Sequence, residues 1–231
     1  ITGGSGKLGR HIVNHLLKKK FFVYSLDLNY SKKKYSNFKS VKIDITDEDQ
    51  VSQFFKQIKN INLLVNNAGI GVYSPTLKRT LEDFKKVLDV NLVGNFLMSK
   101  NALKLMKKQK YGKIINLGSI YGIKSSDPRI YGKSGRNNSE VYSASKAGVI
   151  MLTKYLAAHF AKYNIQINCI SPGGFLNNQT KDFVNNYNFK NPSNRMAEVK
   201  DLNGVLNFLI DKDNAYTNGT NIILDGGFTL W

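Results

Sequence analysis

Apolar positions recur along this chain in two alternating rhythms. Leu8, Ile12, Val13, Leu16 and Leu17 follow a 3.6-residue period, which predicts an amphipathic helix opening straight out of a glycine-rich turn. Residues 21–27 then read as a strand, and 41–47 as a shorter one leading into a helix near 47–58 with Asp47 as its N-cap. Residues 61–65 form a continuous apolar run, as a strand buried on both faces requires. A long helical stretch follows over about 77–108, with Asn91 in its middle. Strands at 113–117, 165–170 and 221–225 alternate with a helix from about 138 and another near 198–211, separated by a polar segment at 175–195. This alternation predicts an α/β chain: a Rossmann-type, doubly wound parallel sheet with helices on both faces. Neither a repeat nor a linker marks a second domain, so residues 1–231 are expected to form one.

Composition changes this picture little. The chain has 231 residues, 42% hydrophobic and 22% charged, enough for one substantial core. Nothing in it approaches the apolar length of a membrane span, and no membrane partner is expected. The net charge of +18 raises nucleic acid or an anionic substrate as partners. The lysines are scattered without an aromatic-interleaved stripe, however, and asparagine is abundant too, so a compositional bias explains the charge and no nucleic acid is expected. Cys169 is the only cysteine, which fits a reducing cytoplasm. His11, His15 and His159 offer no metal-ligand spacing, and no metal is expected. Because Ile1 leads directly into the glycine turn, most of a first strand is expected upstream of it, along with any targeting signal.

Two local patterns carry chemistry. Gly4-x-Gly6-x-x-Gly9 fits the dinucleotide-binding fingerprint, in which glycines let the backbone approach a pyrophosphate at a helix N-terminus. Asp27, 18 residues after Gly9, ends the next strand where a carboxylate binds a ribose 2′-hydroxyl and repels a 2′-phosphate. NAD is therefore the expected cofactor, with NADP left open by Lys7 and the lysines at 32–34. Tyr142 and Lys146 lie one helical turn apart on one face, where an ammonium favours phenolate and suits the phenol to proton transfer. Taken alone, such a pair is an ordinary surface feature.

Thr2-Gly…Gly9, Asn66-Asn-Ala-Gly69, Asn91, Ser119, Tyr142-x-x-x-Lys146, Pro172-Gly173 and Asp225-Gly-Gly227 occur together and in order. In this the chain resembles the short-chain dehydrogenase/reductase family over its whole length. The resemblance implies hydride transfer between a nicotinamide and a carbinol or carbonyl carbon. Tyr142 would be the general acid/base, Lys146 would lower its pKa, Ser119 would polarise the substrate oxygen, and Asn91 would hold a water on a proton path. Thr2, Gly3, Gly4, Ser5, Gly6, Lys7, Leu8 and Gly9 would form the cofactor turn, with Asp27 on the ribose and Asp44 and Ile45 near the adenine. Asn67, Ala68 and Gly69 would line the adenosine side, and Pro172, Gly173 and Asn177 the nicotinamide side. The resemblance also implies pairing through the Asn91 and Tyr142 helices into a homodimer or homotetramer.

Departures from the family pattern sharpen the reading. Lys7 stands where the shorter branch of the family places a glycine, and Asn177 where it places a threonine. Ser119 and Tyr142 are 23 residues apart, roughly twice the usual gap, so residues 123–138 are read as an insertion beside the active site. Within it Arg129, Lys133 and Arg136 are candidates to clamp a phosphate or carboxylate, with a solvated loop as the plain alternative. Residues 175–195 would form a substrate-side lid suited to hydroxylated molecules. The expected substrate is a small molecule, a sugar or sugar derivative of surface-glycan pathways. A 3-oxoacyl carrier-protein reductase is the alternative enzyme, and a non-catalytic binder of nucleic acid or protein the alternative of another class.

Overall fold

A computed structural model describes residues 1–30, 35–134 and 136–231. The lysines at 32–34, which left NADP open, lie outside the described residues. Among the described residues six strands each pair in parallel with their neighbours: β1 (Val23–Asp27), β2 (Phe38–Lys42), β3 (Leu63–Asn66), β4 (Gly112–Leu117), β5 (Ile165–Pro172) and β6 (Asn221–Leu224). β1 and β2 form one pair, and the remaining four follow in order β3-β4-β5-β6. Ile1 and Thr2 join the two groups. Leu26 donates to the Ile1 carbonyl at 2.9 Å, Gly3 to Leu26 at 2.8 Å, and Thr2 to Val65 at 3.0 Å. The chain therefore winds outward in both directions from residues 1–2, and the crevice at that switch point opens over the glycine turn, where ligands bind in such sheets.

The apolar runs are explained by burial on both faces. Leu64, Ile114 and Ile167 point into one core with α2 (Glu48–Lys56), α4 (Gly94–Gln109) and α5 (Glu140–Phe160). Their neighbours Val65, Ile115 and Ile170 face α1 (Lys7–Lys18) and α7 (Leu202–Ile210) on the other side. This is the period-two alternation of a sheet, hidden in the sequence because both faces are apolar.

Several elements differ from their sequence expectation. The strand read at 41–47 lies at 38–42, because pairing from Val23–Phe38 to Asp27–Lys42 fixes its register; Ile43 and Ile45 are buried just beyond it. The long helix at 77–108 is interrupted. α3 (Leu81–Leu88) gives way to a π-turn at Asp89–Val93 before α4 begins. The polar segment at 175–195 contains α6 (Lys181–Lys190), capped by Thr180, which accepts from the Phe183 amide. The segment read as an insertion is packed in part. Asp127 caps a 3-10 turn, Pro128–Tyr131, and Ile130 is fully buried against Tyr187, Ile120 and Met196.

Gly204 sits exposed in α7, and a methyl group built on it would meet nothing within 4 Å. Gly204→Ala is therefore expected to raise unfolding stability by about 0.5–1 kcal/mol, the helix-interior difference between the two residues. Urea titration checks this; a lower midpoint would mean that α7 depends on a contact at this face.

Candidate active site

The glycine turn forms the first wall. Gly3 has φ +64°, and a methyl group on Gly9 would lie 2.0 Å from the Gly3 carbonyl oxygen, so the turn closes only without side chains there. α1 starts at Lys7 with Gly6 as N-cap and no side-chain cap, which leaves its first amides facing the crevice. That end suits a phosphate. Asp27 is fixed beside it, accepting from the Ser5 amide at 2.9 Å and the Asn29 amide at 2.9 Å. Leu8 reaches the cavity wall, whereas Gly4 backs onto the Ser25 side chain beneath.

Two of the expected cofactor residues brace this turn from inside. The Thr2 hydroxyl accepts from the amides of Asn67 and Ala68, each at 3.0 Å. Asn67 returns its side-chain amide to the carbonyls of Thr2 and Gly3. Asp44 binds its own loop through the Thr46 amide and hydroxyl, and Ile45 is buried against Gly94. Lys7 crosses the crevice and donates to the Leu176 carbonyl and to the Asn177 side chain. Pro172 ends β5 and is buried, and Gly173 donates to the Leu224 carbonyl at 2.9 Å.

Ser119, Tyr142 and Lys146 meet on the floor of the same crevice, with Asn91 buried behind them. Ser119 follows β4 and caps a 3-10 turn, Ile120–Gly122, by accepting from the Tyr121 amide at 3.1 Å. Its side chain lines the same cavity as the Tyr142 phenol and acts to lower the pKa of that phenol. α5 starts one turn before Tyr142, where Ser139 accepts from the Tyr142 amide, so the cap sets the position of the phenol directly. Lys146, one turn on, is buried and donates to the Leu117 carbonyl at 2.7 Å. Asn91 occupies the π-turn, a local widening common at functional sites. It clamps Ile70 by accepting from its amide at 2.8 Å and donating to its carbonyl at 3.0 Å, and also donates to Ser145. Gly69 lies over the pair: a methyl group there would be 3.3 Å from Asn91 Oδ1 and 3.5 Å from Lys146 Nζ.

Burial governs the electrostatics of this floor. It pushes the Tyr142 phenol up to about 12, opposed by the Ser119 side chain and reinforced by Tyr73 and Tyr131. It also draws the Lys146 ammonium down to about 8. The sequence predicts that the lysine lowers the phenol's pKa. In the structure the ammonium is 5.7 Å from the Tyr142 ring centroid and turned to a backbone carbonyl, and desolvation prevails.

A cavity of about 430 Å³ opens above Ser119 and Tyr142. Of the three cations assigned to substrate, it is lined by Arg136 alone. Arg129 is spent on Asp127, with Nε at 3.0 Å and Nη2 at 2.8 Å, and Lys133 is exposed away from the lining. The sequence did not single out Tyr73, Tyr121, Tyr131 and Tyr187 as cavity walls. Burial, then the neighbouring Tyr131, raises the Tyr121 phenol. Tyr187 is buried, stacks on Phe228 at 4.4 Å and accepts from the Gly174 amide at 2.7 Å. No spacing separates these from the other tyrosines of the chain, so the sequence held no signal for them. Among the described residues there is no group of histidine, cysteine or carboxylate side chains that could hold a metal, and no helix is long and apolar enough to cross a membrane.

Comparison with known proteins agrees with this geometry. A family model described as enoyl-(acyl carrier protein) reductase matches residues 8–229. A 2-dehydro-3-deoxy-D-gluconate 5-dehydrogenase of Formosa agariphila is 36% identical over 80% of this chain and 71% of its own length. A 3-oxoacyl-[acyl-carrier-protein] reductase of Rickettsia bellii is 32% identical over all of this chain and 95% of its own. The crystal structure of a short-chain dehydrogenase from Leptospira borgpetersenii with bound NAD+ superposes with a TM-score of 0.93 at 42% identity, covering 99% of this chain and 91% of the other.

Proposed function

The chain is an NAD(P)-dependent oxidoreductase of the short-chain dehydrogenase/reductase family, and on that premise we propose that it oxidises a secondary hydroxyl, or reduces the matching ketone, of a small polyhydroxylated molecule such as a sugar acid or polyol. The observation carrying this reading is the convergence of Ser119 and Tyr142 on one tyrosine-walled cavity. Ser119 orients the substrate oxygen, and Tyr142 gives or takes its proton. Asn91, fixed on Ile70 and Ser145, lies with the Lys146 ammonium beside Gly69, and we assign that proton a path by way of the lysine. A bound nicotinamide would supply the hydride chemistry; the amides at the start of α1 would hold the pyrophosphate, Asp27 the adenosine ribose, and Pro172 and Gly173 the amide side. The hydroxyl-rich walls and the sugar-acid dehydrogenase relative support this substrate class. Exposed Val93 and Phe96 on one helical run, and Met151 and Tyr155 on α5, support pairing of copies through these helices in the cytoplasm.

Two measurements test the reading. NADH is expected to bind at least ten times more tightly than NADPH, and Asp27→Ser to erase most of that preference by removing the repulsion of a 2′-phosphate. Equal affinity for both cofactors in the unaltered protein would overturn the assignment of Asp27. A panel of sugar acids and polyols is expected to be turned over with NAD+, while acetoacetyl thioesters are poor substrates. Turnover of the thioesters alone would establish the carrier-protein reductase instead.

A further inference from the structure

The cavity carries an unbalanced charge. Its lining includes two cations, Lys146 and Arg136, and no aspartate or glutamate. Lys146 is committed to the Leu117 carbonyl. The carboxylates nearest Arg136 in sequence are engaged elsewhere: Asp127 pairs with Arg129 and Lys190, and Glu140 with Arg79 and Thr76. The Arg136 guanidinium lies over the Tyr73 ring with its carbon 4.3 Å from the centroid, a stacking that orients the plane and leaves its N–H edge to point sideways from the ring. Tyr73 in turn converges with Tyr142. A methyl group on Gly71 would lie 3.6 Å from the Tyr73 hydroxyl and 3.7 Å from the Tyr142 ring. The two loops thus hold a fork-shaped cation one ring away from the reacting phenol.

We infer that Arg136, held on Tyr73, binds a carboxylate of the substrate, so that the enzyme acts on a hydroxy or keto acid rather than on a neutral polyol or a phosphorylated sugar. This rests on the proposed reaction at Ser119 and Tyr142. A single planar guanidinium matches the two oxygens and single charge of a carboxylate. A phosphate dianion would call for a second cation, and the other one in the lining is turned to a carbonyl. Truncating a fork of this kind leaves the bound carboxylate unpaired, which separates substrates more sharply than loss of an apolar contact.

The test measures binding to the NADH-loaded enzyme by calorimetry, using D-gluconate and D-glucitol, which differ at one terminal carbon, and D-glucose 6-phosphate. D-Gluconate is expected to bind at least tenfold more tightly than either, and Arg136→Gln to bring the gluconate-to-glucitol ratio close to one. NADH affinity of the variant, measured first, reports that it is folded. The inference fails if gluconate gains nothing over glucitol, if glucose 6-phosphate binds best, or if Arg136→Gln leaves the ratio unchanged. Failure of NADH to bind the unaltered protein would instead overturn the oxidoreductase reading beneath it.

Discussion

Tyr142→Phe is expected to lower kcat by about 10²- to 10⁴-fold, the range that a positioned general acid or base supplies. The substitution removes one oxygen and leaves the ring in place, with the Ser139 cap and the Lys146–Leu117 bond untouched. NADH affinity should therefore stay within about threefold, because no distant contact is lost. The pH profile gives a second readout. Burial holds the phenol protonated, at about 12, so the proton needed for ketone reduction is in place at neutral pH. Alcohol oxidation needs the phenolate, whose fraction rises tenfold per pH unit below that value, so oxidation should climb toward alkaline pH and reduction should not. In the variant that climb should be gone. Unchanged kcat, or the same alkaline climb in the variant, would remove Tyr142 from the reaction.

Parallel sheets advertise themselves in a sequence because their strands are buried on both faces, and the site follows from their ends. Ser119 two residues past β4 and Asp27 at the end of β1 were readable for that reason. What failed to show depended on partners distant along the chain. The π-turn at Asn91 exists because that side chain reaches Ile70 and Ser145, 21 and 54 residues away. No helix periodicity reports such a pull. α6 was hidden for a related reason. Asparagine weakens its helical propensity, and its order comes from packing Phe183, Val184 and Tyr187 against the inserted turn.

Residues 123–138 show how pairing within a segment redirects its charges. Their place between Ser119 and Tyr142 puts them beside the candidate site in the sequence reading, and their composition offers three cations as ligands. Asp127, the one carboxylate within residues 123–138, was the competitor overlooked, and it captures Arg129 two residues on. Ile130 was a lone apolar residue without period, yet it pins the loop to the cavity wall. The apolar contact decides where the loop sits, and the loop then decides which cation faces the cavity.

Gly122→Ala should reduce kcat by about 10²-fold, because a displacement near 1 Å at a reacting centre has that consequence. A methyl group at Gly122 would lie 2.7 Å from the Lys146 carbonyl carbon, 2.8 Å from the Ala147 amide nitrogen and 2.9 Å from the Lys146 oxygen. All three atoms are backbone in the middle of α5, so no rotamer change relieves the clash. The turn bearing Ser119 must then move away from the helix bearing Tyr142 and Lys146, and the alignment of Ser119 with Tyr142 is lost. Overpacking of this kind also costs about 1–3 kcal/mol of stability. The glycine turn is a separate part of the crevice, so NADH should still bind. Stopped-flow single turnover with NADH preloaded separates the two effects, and Gly204→Ala, a glycine with open space around it, serves as the control. If Gly122→Ala turns over as fast as that control, Ser119 and α5 do not depend on this contact for their alignment.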